Sequence, residues 1–252
     1  MNSKIVPFML FASCQAFASG PIIGGSKVSS SDFISHSVVA LVSTSEDGQA
    51  LCTASLVASD LAVTAAHCVK DQNRAPRAQI DLLFGLDIHS PVGVRSVDRA
   101  EVPSQWNPSS DSGSDTSDVA LIHFNGGLPA GYVPSELMPF NQELVKGQSV
   151  VLAGFGITNA VENDGEGTLR KTTVTVLNEN YSPSEIELDQ SHGGGACHGD
   201  SGGPAYLMMN QHPYLFGITS RGGGECDEDV IYTKLSAYAD WFKTAVAAIR
   251  KH

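Results

Sequence analysis

The chain is poor in charge and poorer in cations. Only 17% of its 252 residues are charged, and 15 Lys and Arg face 27 Asp and Glu, for a formal net charge of -12. No stretch is densely basic, so nucleic acid and anionic membrane surfaces are poor partners. Long apolar runs are also missing, which excludes a membrane-spanning helix. Aromatic residues make up 7%. Low charge with 42% hydrophobic residues rules out a disordered chain and allows a sizeable core.

Lysine and arginine are absent between Lys4 and Lys27. Within that gap lies an apolar run, Ile5 to Phe11, followed by the small residues of Ala16-Phe17-Ala18. A positive start, a short hydrophobic middle and an A-x-A end read as a signal peptide over residues 1–18. Export to the medium or the periplasm follows. A lipoprotein-type reading, with a lipid anchor on Cys14, ranks second because Leu10 stands one position too early. Of five cysteines, Cys14 falls in this segment, leaving Cys52, Cys68, Cys197 and Cys226. Four cysteines in an exported chain suggest two disulfides. Three pairings are open, and local spacing favours Cys52–Cys68 with Cys197–Cys226.

Beyond residue 21, short Val-, Ile- and Leu-rich segments recur between Gly, Pro, Asp, Asn and Ser. Val38–Val42, Leu51–Val57, Leu61–Ala65, Ile80–Phe84, Val92–Val97 and Val119–Phe124 precede Val150–Phe155, Thr172–Leu177, Pro204–Met208, Tyr214–Thr219 and Val230–Lys234. This spacing predicts an all-β sandwich or barrel, not a doubly wound sheet. One helix is predicted over 236–251, capped by Ser236, with Tyr238, Trp241, Phe242, Ala245, Val246 and Ile249 on one face. A boundary between halves is expected near Gly126–Leu137.

Three segments carry chemistry. Gly199-Asp200-Ser201-Gly202-Gly203-Pro204 sets a serine on a glycine-flanked turn, where backbone amides can approach a substrate carbonyl. A serine hydroxyl is a weak nucleophile and needs a base. His67, in Thr64-Ala65-Ala66-His67-Cys68, ends an apolar strand beside a cysteine. Asp118 opens the apolar run Val119-Ala120-Leu121-Ile122 and can orient an imidazole.

With Ile22-Ile23-Gly24-Gly25, these blocks resemble the signature segments of chymotrypsin/trypsin-like serine proteases, in the family's order. The G-x-S-x-G match to α/β-hydrolases fails on order, since those enzymes place acid and histidine after the serine. The resemblance implies two six-stranded antiparallel β-barrels, about residues 22–130 and 131–235, then the helix. It implies a secreted monomeric serine endopeptidase acting on proteins or peptides through Ser201, His67 and Asp118, and open to protein inhibitors. Gly199 and Ser201 amides would form the oxyanion hole. Ser220, Arg221 and Gly222 would pair with substrate backbone, Arg221 standing where the family usually has Trp.

Gly195, six residues before the nucleophile, would form the specificity-pocket floor, with Ala196 beside it and Gly222 and Val230 on the walls. No floor carboxylate is present, so small to medium apolar side chains are expected. A one-residue shift would instead bring in Asp229 and favour basic residues. Maturation would free the Ile22 amino group to pair with Asp200. Pro21 replaces the usual basic residue there, so residues 19–21 would be a propeptide removed by another peptidase. No cofactor is expected. Metal is not expected either: Cys197 has a better partner than His192 or His198, and Leu83–Val94 lacks the acids of a calcium loop. A catalytically silent binding protein on the same fold is the competing reading.

Overall fold

The computed structural model describes residues 22–23, 25–45, 48–108 and 115–251. The expected signal peptide and propeptide, with Cys14 and Pro21, lie outside them. Along the chain run β1 (Ser26–Lys27), β2 (Val38–Ser45), β3 (Gly48–Leu56), β4 (Leu61–Thr64), α1 (Ala66–Val69), β5 (Gln79–Phe84), β6 (Gly93–Glu101) and β7 (Ala120–Phe124). They continue as β8 (Ser149–Gly154), β9 (Arg170–Ser182), β10 (Glu185–Asp189), β11 (Pro204–Met209), β12 (His212–Gly222), β13 (Val230–Lys234) and α2 (Ala239–Ile249).

The strands close into two antiparallel six-stranded barrels. The first runs β2-β3-β4-β7-β6-β5, and β5 returns to β2. The second runs β8-β9-β10-β13-β12-β11, with β11 back on β8 and the two-residue β1 attached to β9. Leu41, Leu56, Leu82, Phe84 and Phe124 fill the first barrel. Val150, Leu152, Val174, Ile186, Leu188 and Phe216 fill the second.

A third apolar cluster lies between the barrels and fixes their mutual position. Val38, Val63 and Leu121 of the first meet Phe155, Tyr206 and Ile218 of the second. Strand β4 is buried along its whole length, so its C-terminal exit into α1 leaves His67 at this junction. Helix α2 buries Ala245 and Ile249 against the same cluster. Arg250 adds a bond to Asp60 of the first barrel, Nη2 to Oδ1 at 2.5 Å.

The sequence reading holds neither β1 nor α1, nor the 3-10 turn Phe33–His36, and it differs at two further elements. Ser236 does not cap α2. It lies in a 3-10 turn, Leu235–Tyr238, and α2 begins at Ala239 with no side-chain cap. The tighter turn brings buried Leu235 and Tyr238, three apart, onto one side. Strand β10 was not anticipated, because its acids Glu185, Glu187 and Asp189 mask the alternation of Ile186 and Leu188.

Candidate active site

Two disulfides fix the local frame. Cys52 on β3 joins Cys68 on α1, and Cys197 joins Cys226, with Cα separations of 6.2 and 5.3 Å. The first tethers α1, and therefore His67, to β3.

Asp118 precedes β7 and is buried, its side chain 6% exposed. Its Oδ2 accepts from His67 Nδ1 at 2.7 Å and from Ser220 Oγ at 2.9 Å. Oδ1 accepts from the His67 backbone N–H at 3.1 Å. The carboxylate therefore grips both the ring and the peptide of His67, and β12 supplies the third donor. Burial pushes the Asp118 pKa up, but the His67 charge and these bonds prevail and hold it below 3.8. For His67, burial opposes protonation, yet Asp118 outweighs it and raises the imidazole above 6.5, while Arg77 pulls the other way.

Ser201 comes from the second barrel, in the turn before β11. Its carbonyl accepts from Thr53 N–H of β3 at 2.8 Å, and Thr53 Oγ1 donates to Gly199 O at 3.0 Å. Thr53 Oγ1 also accepts from Phe155 N–H at 3.1 Å. This fully buried threonine thus ties the Ser201 turn to the strand that carries Cys52. Nothing in the sequence singles out Thr53, because its role depends on a partner 146 residues away.

Gly199 sits at φ +94°, and a Cβ there would lie 2.8 Å from Gly156 Cα. The turn accordingly demands glycine. The amides of Gly199 and Ser201 meet no acceptor among the described residues. Asp200 between them is 1% exposed and accepts from Gly156 N–H at 2.8 Å and Cys197 N–H at 2.9 Å. No cation reaches it among the described residues, and burial raises its pKa to about 7 against those two bonds. Ile22 is likewise 1% exposed, and Ile23 bridges to Gly195, which donates to Ile23 O at 2.9 Å.

The family model Trypsin matches residues 22–242. The chain belongs to the trypsin family of serine endopeptidases. It is 23% identical to a chymotrypsin from Phaedon cochleariae over 240 residues, covering 86% of this chain and 81% of the relative. A vitellin-degrading protease from Bombyx mori is 27% identical over 269 residues, covering 100% and 97%. A solved structure of HL collagenase shares the fold, with a TM-score of 0.75 at 23% identity, covering 89% of this chain and 98% of that one.

Beside Ser201 this trypsin-family chain has a cavity of about 230 Å³, bordered by Ala196, the Cys197–Cys226 disulfide, Ser220, Gly222 and Val230. No carboxylate lines it among the described residues. Gly195 does not line it, because the Gln190 side chain occupies the space a Gly195 side chain would need. Gln190 Oε1 accepts from Ala196 N–H at 2.5 Å, and Nε2 donates to Glu228 O at 3.1 Å, sealing that end. Asp229 does not line it either. It lies near enough to Glu187 on β10 that, after burial, its charge helps to raise the Glu187 pKa.

Arg221, also on the rim, is held by Glu185. Nη1 meets Oε1 at 2.6 Å and Nη2 meets Oε2 at 2.9 Å, while Thr116 donates to Oε1 through N–H and Oγ1 at 3.1 and 2.9 Å. Arg221 is thus anchored into the second barrel. Only Ser117 separates Thr116 from Asp118, so the same network steadies the approach to the carboxylate. Among the described residues no helix is long and apolar enough to cross a membrane.

Proposed function

We propose that this chain is an exported endopeptidase in which Ser201 is the nucleophile, His67 the general base and Asp118 the group that orients it. The observation that carries this reading is the 2.7 Å bond from His67 Nδ1 to Asp118. With Nδ1–H committed to the carboxylate, the neutral ring keeps its lone pair on Nε2, the nitrogen able to take a proton from a serine hydroxyl. Ser201 Oγ then bonds to the scissile carbonyl carbon as its proton passes to His67. The C–N bond breaks as His67 returns that proton to the leaving amine, and water hydrolyses the acyl-enzyme by the same relay. The free amides of Gly199 and Ser201 supply two donors for the oxyanion, each worth about 2.7–4 kcal/mol at the transition state.

The Ala196, Gly222 and Val230 walls and the lack of a lining carboxylate support a preference for an uncharged, small to medium apolar residue before the cut. Asp200 supports maturation at Ile22. Without a cation, its folded pKa of about 7 exceeds the ordinary 3.8, so the folded state loses stability as pH rises through that window. A freed Ile22 ammonium would reverse this by pairing with the carboxylate. Pro21 requires that the freeing peptidase not be trypsin-like.

The reading is tested with a fluorophosphonate probe on protein trimmed to begin at Ile22, beside a Ser201→Ala control. Label confined to the peptide containing Ser201 is expected. Folded protein that takes no label would make it a binding protein.

The titration of His67 gives a second check. Only the neutral ring accepts the serine proton, so kcat/KM is expected to rise with pH through an apparent pKa above 6.5. A pH–rate profile with its acid limb below that value would contradict the part assigned to Asp118.

A further inference from the structure

A second cavity, about 310 Å³, is bordered by His67, by the cations Lys70, Arg77 and Arg221, and by the acids Asp71 and Asp118. It shares Ser220 and Arg221 with the cavity beside Ser201. The shared residues belong to the end of β12, which lies past Ile218, the last residue of β12 that pairs with β11. From Ser220 to Gly222 this edge is unpaired by β11, so an extended peptide can add to it as a strand. Successive side chains of such a peptide point to opposite sides. When one enters the Ala196–Val230 cavity, the residue before it falls over the cavity next to His67.

Lys70, Arg77 and Arg221 all line that second cavity. Most of the carboxylates around them are committed. Asp118 serves His67 and Ser220, and Glu185 holds Arg221. Asp71 Oδ1 accepts from Asn73 and Ala75 N–H, closing its own turn. Arg77 is the least satisfied member: Nη2 donates to His67 O at 3.3 Å, whereas its buried Nε meets no acceptor. Nearby, Arg74 donates to Trp106 O and lies 5.9 Å over its ring, adding to the positive field. In a chain of net charge -12, such a gathering of cations at the cleft is out of keeping with the whole.

We infer that this cavity selects peptides carrying Asp or Glu immediately before the residue whose carbonyl is cut, with Arg77 and Lys70 receiving the carboxylate. The inference rests on the reading of Ser201 and the β12 edge given above. A carboxylate bonded to a half-buried guanidinium is stronger than an exposed pair, and a discrimination of about tenfold is expected.

The test is binding of two fluorescent peptides to Ser201→Ala protein, identical except for Asp or Asn at that position. The Asp peptide should bind about tenfold more tightly at low salt, and the advantage should shrink as salt rises. Arg77→Met should bring the ratio close to one. Lys70→Gln should reduce it in part, and thermal unfolding shows whether each variant is folded. Equal affinity for the two peptides, or a ratio that survives both substitutions, would overturn the inference. Since Ser201 is absent, these outcomes are independent of the labelling result. Failure to label the unsubstituted protein would refute the chemistry and leave the peptide ratio to judge the subsite.

Discussion

Ser201→Ala should lower kcat for peptide hydrolysis by about 10⁶-fold and leave the fold unchanged. In the proposed mechanism the Ser201 hydroxyl forms the acyl bond. Its removal also empties His67 of its task, so the Ser201→Ala/His67→Ala double variant should be scarcely slower than either single one. Stability should not follow activity. The turn is held by backbone bonds, from Thr53 N–H to Ser201 O at 2.8 Å and from Gly203 N–H to Asp200 O at 2.8 Å, and neither involves the serine side chain. Kinetics on a peptide amide, beside thermal unfolding of both proteins, give the answer. A loss of only tenfold would transfer the nucleophile's part to another group.

Glu185→Ala carries the largest expected effect on stability. The carboxylate has no exposed surface, and Arg221 beside it is 18% exposed. Its removal takes away the carboxylate to which both Nη groups of Arg221 donate and leaves the Thr116 N–H and hydroxyl without their acceptor. Breaking one side of such a buried pair costs about 3–5 kcal/mol, or roughly 10 °C in a domain of this size. Activity should fall as well, since Thr116 stands two residues before Asp118 and Arg221 borders both cavities. Glu185→Gln keeps the shape and part of the bonding, so it should fall between the two. A midpoint within 2 °C of the parent protein in the Ala variant would show that water replaces the carboxylate without loss.

The same pair shows where sequence reasoning stops. The residues of chemistry stand in contiguous blocks whose local pattern is informative: a serine among glycines, a histidine at a strand end, an acid before an apolar run. Both disulfides followed from count and spacing, and nearly every apolar strand was visible as a run of branched residues. Glu185 and Gln190 were not. An acid in Glu-Ile-Glu-Leu-Asp reads as surface, and only a partner 36 positions later on β12 makes it an interior residue. Gln190 had the same difficulty. The sequence offers Gly195 as pocket floor, whereas the glycine's smallness makes room for a glutamine side chain arriving from five residues earlier. Thr53 is a third case, because it acts only when the second barrel lies against the first. Pairings across the barrel interface leave no periodic trace.

The arrangement of the proposed triad over two barrels has a consequence for the time at which the chain becomes dangerous to its maker. His67 and Asp118 are contributed by the first barrel, and Ser201 follows much later, on the second. A nascent chain that has completed the first barrel holds a base and no nucleophile, and folding proceeds from the N-terminus during synthesis. Helix α2, which follows the second barrel in the chain, packs on the cluster between the barrels, and Arg250 after it reaches back to Asp60. On the proposed mechanism, peptide-bond cleavage is thereby reserved for a molecule in which both barrels have formed.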